Sequence, residues 1–271
     1  MMALSATLMC LTGCGWFESG APTSEAIVPP DQSAGSTSTT GEDPARNSSV
    51  TTKVDSQLAN NRPTVSQATL ALALAAIQND ESNTLELEEQ APDNLPEQIR
   101  ELDGKLLDLL LDGGGLNGAG LSQLAPLKSL FHLRIRNEAL SNKALQTIAT
   151  NHPQLEILNL PQAQVDAQGI AHLQGLPRLR QLRLSGPGLD DSAAEEIAKL
   201  PSLEYLHLIK PNISAQGLEM LSISPKLASL YIDDCPLPDA AWTELFQAKP
   251  QLHVHINQEH HDRDPNADPH P

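Results

Sequence analysis

LPRLRQLRL occupies residues 176–184, and LPSLEYLHL occupies residues 200–208, one step of 24 later. The leucines and the proline are repeated, while the residues between the leucines change. A chain that holds leucines in register and varies what separates them builds a frame with the first set and presents the second. The register extends well beyond this pair. Leucines that open an L-x-x-L-x-L unit stand at Leu106, Leu130, Leu155, Leu179, Leu203 and Leu227, and Leu252 opens a shortened one. The steps are 24, 25, 24, 24, 24 and 25 residues. Ten residues after each full opening come Leu116, Leu140, Val165, Leu189, Ile213 and Leu237. Further on stand Leu124, Ile148, Leu173, Ile197, Leu221 and Leu245, and Pro153, Pro177, Pro201, Pro225 and Pro250 precede the next unit.

Each unit reads as strand, turn and short helix. Alternation over L-x-L puts both leucines on one face of a strand. Asn117, Ser141, Asp166, Asp190 and Ser214 stand eleven places after their opening leucines, with Asp239 one place late. Their side-chain oxygens can accept from the orphaned amides of a helix start. Apolar residues at helical spacing follow, and the proline stops the helix.

Stretches such as LEILNLPQAQVDAQGIAHLQGLPRLRQLRL (155–184) resemble bacterial leucine-rich repeat proteins, and the resemblance covers roughly residues 82–257. It implies an α/β solenoid with short parallel strands on a concave face and short helices on a convex one. One position departs from that pattern. The eighth residue after the opening leucine, often Asn, Thr or Cys in the family, is here Gly114, Glu138, Ala163, Pro187, Pro211 and Cys235. The usual side-chain ladder is therefore largely missing, and the turns need another support.

The chain outside the repeats divides by composition. Leu11-Thr12-Gly13-Cys14 follows a short apolar stretch and resembles a bacterial lipobox, although no Lys or Arg precedes it. The resemblance implies a signal peptide over 1–13, lipidation at Cys14 and a place in the cell envelope. Removal of Cys10 with the signal would leave Cys14 and Cys235, so no disulfide is expected within the mature chain. Residues 14–63 are rich in Ser, Thr, Pro, Gly and Ala, too polar to bury a core, and read as a disordered tether. About 50 such residues span roughly 35–42 Å in root-mean-square terms. Residues 64–105 read as an N-terminal cap with an atypical first repeat, 106–257 as the repeat domain and 258–271 as a disordered His- and Asp-rich tail. No later stretch is apolar for the roughly 18–20 residues that span a bilayer, so the membrane is met through the lipid alone.

Function is less legible. A formal net charge of −17 argues against nucleic acid, whose phosphates select clustered cations. If the leucines point inward, the residues between them form columns on the open side of the sheet. The middle column reads Leu110, Arg134, Asn159, Arg183, His207, Tyr231 and His255. Its neighbours carry Asp108, His132, Ile157, Gln181, Tyr205, Ser229 and His253 on one side, and Asp112, Arg136, Pro161, Ser185, Ile209, Asp233 and Asn257 on the other. Arg and Tyr are favoured at interfaces, so His132, Arg134, Arg136, Gln181, Arg183, Tyr205, His207 and Tyr231 are the candidate binding residues for a protein or glycan partner. A rival reading is metal binding near the C-terminus, where His253, His255, His260 and His261 offer imidazoles but no finger-type spacing. A purely structural envelope component is a third reading. Asp262-x-Asp264-x-Asn266-x-Asp268 resembles the opening of an EF-hand calcium loop but has Ala267 where glycine is required and lacks the closing Glu. No phosphate loop, G-x-S-x-G or H-E-x-x-H motif is present, so neither an enzyme nor a cofactor is expected.

Overall fold

The computed structural model describes residues 62–261 and Asp264. The signal peptide, Cys14 and nearly all of the tether lie outside the described residues. Among the described residues nine strands form one sheet in sequence order. They are β1 (Thr84–Leu87), β2 (Asp108–Leu111), β3 (His132–Ile135), β4 (Ile157–Leu160), β5 (Gln181–Ser185), β6 (Tyr205–Ile209), β7 (Ser229–Asp233), β8 (His253–Ile256) and β9 (Glu259–His260). The first eight pair in parallel and β9 returns antiparallel. The expected α/β leucine-rich repeat solenoid is the observed architecture.

The helices are α1 (Gln67–Gln78), α2 (Leu95–Gln98), α3 (Gly118–Gln123), α4 (Asn142–Asn151), α5 (Ala167–His172), α6 (Asp191–Ala198), α7 (Ala215–Ser222) and α8 (Asp239–Ala248). No helix among the described residues is long and apolar enough to cross a membrane. Ser66 caps α1, accepting from the Thr69 amide at 3.1 Å. Asn117, Asp166, Asp190 and Ser214 cap their helices through side-chain oxygens, as the spacing predicts. Ser141 occupies its cap position without a side-chain bond. In the sixth unit the cap is Pro238, and Asp239 is the first helical residue. The extra residue displaces the carboxylate by one place, where it still meets the positive end of the helix dipole.

The repeated leucines fill the space between sheet and helices. Leu106, Leu130, Leu155, Leu182, Leu203 and Leu206 are all fully buried. The missing ladder at position eight is replaced one residue earlier, by backbone amides that donate to a backbone or side-chain oxygen. Strands end in left-handed residues at Asn137, Gly186, Lys210 and Asp234. Each of these four amides donates into the following unit: Asn137 to Gln162 Oε1 at 3.0 Å, Gly186 to the Ile209 carbonyl at 2.9 Å, Lys210 to the Asp233 carbonyl at 2.8 Å and Asp234 to Asn257 Oδ1 at 2.8 Å. In the first unit Gly113 runs against the Glu89 backbone so closely that a Cβ there would collide with it. A second rung runs along the helix starts, where the Asn142 Oδ1 accepts from the Asp166 amide at 3.1 Å and Asp191 Oδ1 from the Ser214 amide at 2.7 Å.

Both ends of the domain extend beyond the compositional boundaries. Pro63, read as tether, accepts from the Gln90 amide at 3.0 Å, and Arg62 reaches Asn137 Oδ1 at 2.9 Å. Residues 258–261, expected in the disordered tail, turn back along β8: Glu259 and His260 pair as β9 and the His261 amide donates to the Val254 carbonyl.

One buried group makes this core sensitive to pH. His152 is 1% exposed, with Nδ1 3.2 Å from the Leu127 carbonyl oxygen. Burial holds its pKa below the ordinary 6.5, against the opposing pull of the Leu127 bond and Asp103. The unfolded chain therefore takes up a proton that the folded chain refuses, and stability falls as pH drops below 6.5 towards the folded value. Wild type should lose more stability between pH 7.5 and 5.5 than His152→Asn, measured by urea unfolding; equal losses would remove His152 from the account. Leu182→Ala and Leu206→Ala should each cost about 2–5 kcal/mol by the same measurement.

Candidate functional site

Side chains that alternate with the leucines stand on the sheet face away from the helices. The strand register aligns them in the three columns that the sequence spacing predicts: Arg134 pairs with Leu110 and Asn159, Arg183 with Asn159 and His207, and Tyr231 with His207 and His255. Neighbours in a column are one strand apart, about 4.7–4.9 Å. Side chains from different repeats therefore touch, and three districts of different chemistry result.

The N-terminal district is a closed charge network. Arg134 makes a two-pronged contact with Asp112, Nε to Oδ1 at 2.7 Å and Nη2 to Oδ2 at 2.8 Å. Its Nη2 also lies 2.8 Å from Glu86 Oε1. Arg136 is 3.6 Å from the same Asp112, and His132 is 3.6 Å from Asp108. Arg134 and Arg136, expected to offer charge to a partner, both face carboxylates of their own chain. Strand β2 and the residue after it supply Asp108 and Asp112, beside the basic residues of β3 and the residue after it. The alternation of sign between adjacent repeats was visible in the columns; Glu86, two strands from Arg134, was missed because the first repeat is atypical.

The central district lies on β5, β6 and β7. Gln181, Arg183, Tyr205 and Tyr231 are partly exposed, while His207 is buried. His207 Nε2 is 2.8 Å from Asp233 Oδ2, and its ring lies 5.7 Å from that of Tyr231. Burial first, and then the nearby Arg136, pushes the Arg183 pKa below its ordinary value, while Asp233 draws it up. Asp233, an outer-column position at the end of its strand, is the residue that fixes His207.

The C-terminal district is a histidine cluster. One nitrogen from each of His253, His255 and His260 lies within 4.8 Å of the other two. His261 does not join them and instead packs against Trp242 and Phe246, at 5.4 and 5.2 Å between ring centroids. Asp264, suggested by the calcium-loop pattern, is fully buried with its Oδ2 2.6 Å from His253 Nδ1. The other acidic positions of that pattern lie outside the described residues. Cys235 is buried, and burial pushes its thiol pKa upward, away from the thiolate that nucleophilic chemistry requires.

No protein-family profile matches the chain, and no curated protein matches it. Among solved structures, internalin C2 of Listeria monocytogenes is similar over 64% of this chain and 80% of its own, at 15% identity and a TM-score of 0.40. A leucine-rich repeat protein of Leptospira interrogans is similar over 67% of this chain and 50% of its own, at 17% identity and a TM-score of 0.42.

The Arg134–Asp112 contact should appear as non-additivity in stability. A double-mutant cycle of Arg134→Ala and Asp112→Ala should give a coupling of about 0.5–3 kcal/mol in urea unfolding. Additive losses would show that the two side chains are screened from each other in solution.

Proposed function

We propose that the chain is a non-catalytic protein-interaction module, held at a bacterial membrane by lipid on Cys14, whose partner docks on Gln181, Arg183, Tyr205 and Tyr231. The observation that carries this reading is the central district itself. Two tyrosines and an arginine sit on three adjacent strands, partly exposed, on a backbone fixed by the leucine core behind it. Amphipathic side chains held rigid lose little entropy when a partner settles on them. His207, locked by Asp233, supports the patch from beneath.

The partner this patch suits is an acidic protein segment. A carboxylate would meet the planar fork of the Arg183 guanidinium, with the tyrosine rings as flanking walls. The N-terminal district contributes less, since Arg134 and Arg136 already face Asp112. The cell envelope follows from the lipobox resemblance, and the chain between Cys14 and the repeats would let the domain search near the membrane. The raised thiol of Cys235 and the absence of a catalytic motif support a non-enzymatic role.

The test is capture from an envelope fraction by the full-length protein, wild type against Arg183→Glu/Tyr231→Ser. Circular dichroism establishes that the variant is folded. A partner held by wild type and lost by the variant supports the reading, and its sequence shows whether it is acidic. A glycan eluting in place of a protein would replace the partner class. A partner retained equally by both proteins would move the interface off these strands.

A further inference from the structure

The last hairpin brings three imidazoles to one point. His253 and His255 are two residues apart on β8, so both stand on the open face of the sheet. Asn257 and Gln258 adopt left-handed backbone, with φ of 51° and 69°, as a tight two-residue hairpin turn requires. That turn places His260 directly opposite His255. The Nε2 atoms of His253 and His255 are 2.8 Å apart. The ring centroids of the three histidines lie 4.2–4.9 Å from one another. Tyr231 stacks on His255 at 4.4 Å and 22°, which fixes that ring from the neighbouring strand.

A carboxylate stands behind this cluster. Asp264 Oδ2 is 2.6 Å from His253 Nδ1 and 3.7 Å from His260 Nδ1. It is anchored by the Val254 amide, which donates to it at 3.0 Å. The carboxylate this close to Nδ1 of His253 favours the proton on that nitrogen, which would leave the lone pair on Nε2, 2.8 Å from His255 Nε2. A buried carboxylate that fixes the tautomer of a histidine and raises its basicity is the usual outer support of a metal ligand.

We infer that His253, His255 and His260 bind a first-row transition-metal dication of the zinc type through three imidazole nitrogens, with Asp264 as the orienting carboxylate. Imidazole donors select such ions over calcium and magnesium, which take oxygen. Metal–nitrogen bonds of about 2.0–2.1 Å at tetrahedral angles put the nitrogens roughly 3.3 Å apart. One pair of nitrogens is 2.8 Å apart and all three lie within 4.8 Å of one another, so small ring rotations would bring the donors to that value. Neutral imidazoles add no charge to repel the ion, and Asp264 supplies a compensating one. Three protein donors leave a coordination position for water or for a donor group from elsewhere. This site adjoins the central patch at Tyr231 but does not rest on the interaction reading.

The experiment is a titration of metal-stripped full-length protein with zinc chloride alone, and in parallel with cobalt chloride. Wild type should bind one zinc ion per chain and give the intense visible absorption of tetrahedral cobalt. His260→Ala should weaken zinc binding at least tenfold, and Asp264→Asn about 10–100-fold. His261→Ala, which lies outside the cluster, should bind as wild type does. Zinc affinity unchanged in both His260→Ala and Asp264→Asn would overturn the site. So would octahedral cobalt in the wild type, which requires no variant to fold.

Discussion

No single unit of 24 residues can bury its own leucines. Each has one apolar edge facing the unit before and another facing the unit after, so the core exists only between neighbours. Every other feature of the molecule follows from that dependence. Stacking in parallel requires each strand to lie beside the same strand of the next unit, which forces equal repeat lengths and aligns identical positions into columns. It also forces a turn at the end of every strand, and the amide exposed there must find an acceptor in the next unit. Asparagine side chains often fill that role in such solenoids. Here left-handed residues at Asn137, Gly186, Lys210 and Asp234 expose the amide, and the following strand or its turn accepts it.

The same stacking decides what the open face can do. Residues far apart in sequence stand one strand apart, close enough for a side chain on one repeat to determine the state of its neighbour. Asp112 and Arg134, 22 residues apart, make a two-pronged contact. Asp233 holds His207 across 26 residues. A residue's type therefore says little about its availability; the type standing in the next column says more. Basic residues beside acidic ones on β2 and β3 neutralise each other. On β5 to β7 tyrosines and the buried His207–Asp233 pair stand beside an arginine instead.

This distinction explains how much was legible beforehand. The strand register was fully readable, because one misplaced leucine would expose a whole row, and selection for burial keeps the spacing regular. Caps at Asn117, Asp166, Asp190 and Ser214 were readable for the same reason: each sits at a fixed distance from its leucine. The irregular unit was not, and Pro238 took the cap where Asp239 was expected. Composition misplaced both boundaries. Polar residues at 62–63 and 258–261 look unstructured because they bury little themselves, yet backbone bonds to Gln90 and β8 are enough to hold them. The pairing of Arg134 with Glu86 depended on a first repeat whose sequence breaks the pattern.

The C-terminal end shows why structure and chemistry coincide at one place. A parallel sheet must stop somewhere, and its last strand leaves amides and carbonyls open to any passing strand. Strand β8 is closed on that side by its own chain. His261 donates to the Val254 carbonyl at 3.0 Å, and Asp264 accepts from the Val254 amide at the same distance. The carboxylate that closes the edge is the one seated on His253, and the strand that covers the edge is the one that carries His260. Satisfying the backbone of the last repeat thus fixes the positions of two of the three imidazoles, while Tyr231 on the repeat before it fixes the third. A polar cluster assembled by edge closure needs no support of its own from the core, which lets it form at the rim of a domain whose interior is apolar and mostly leucine.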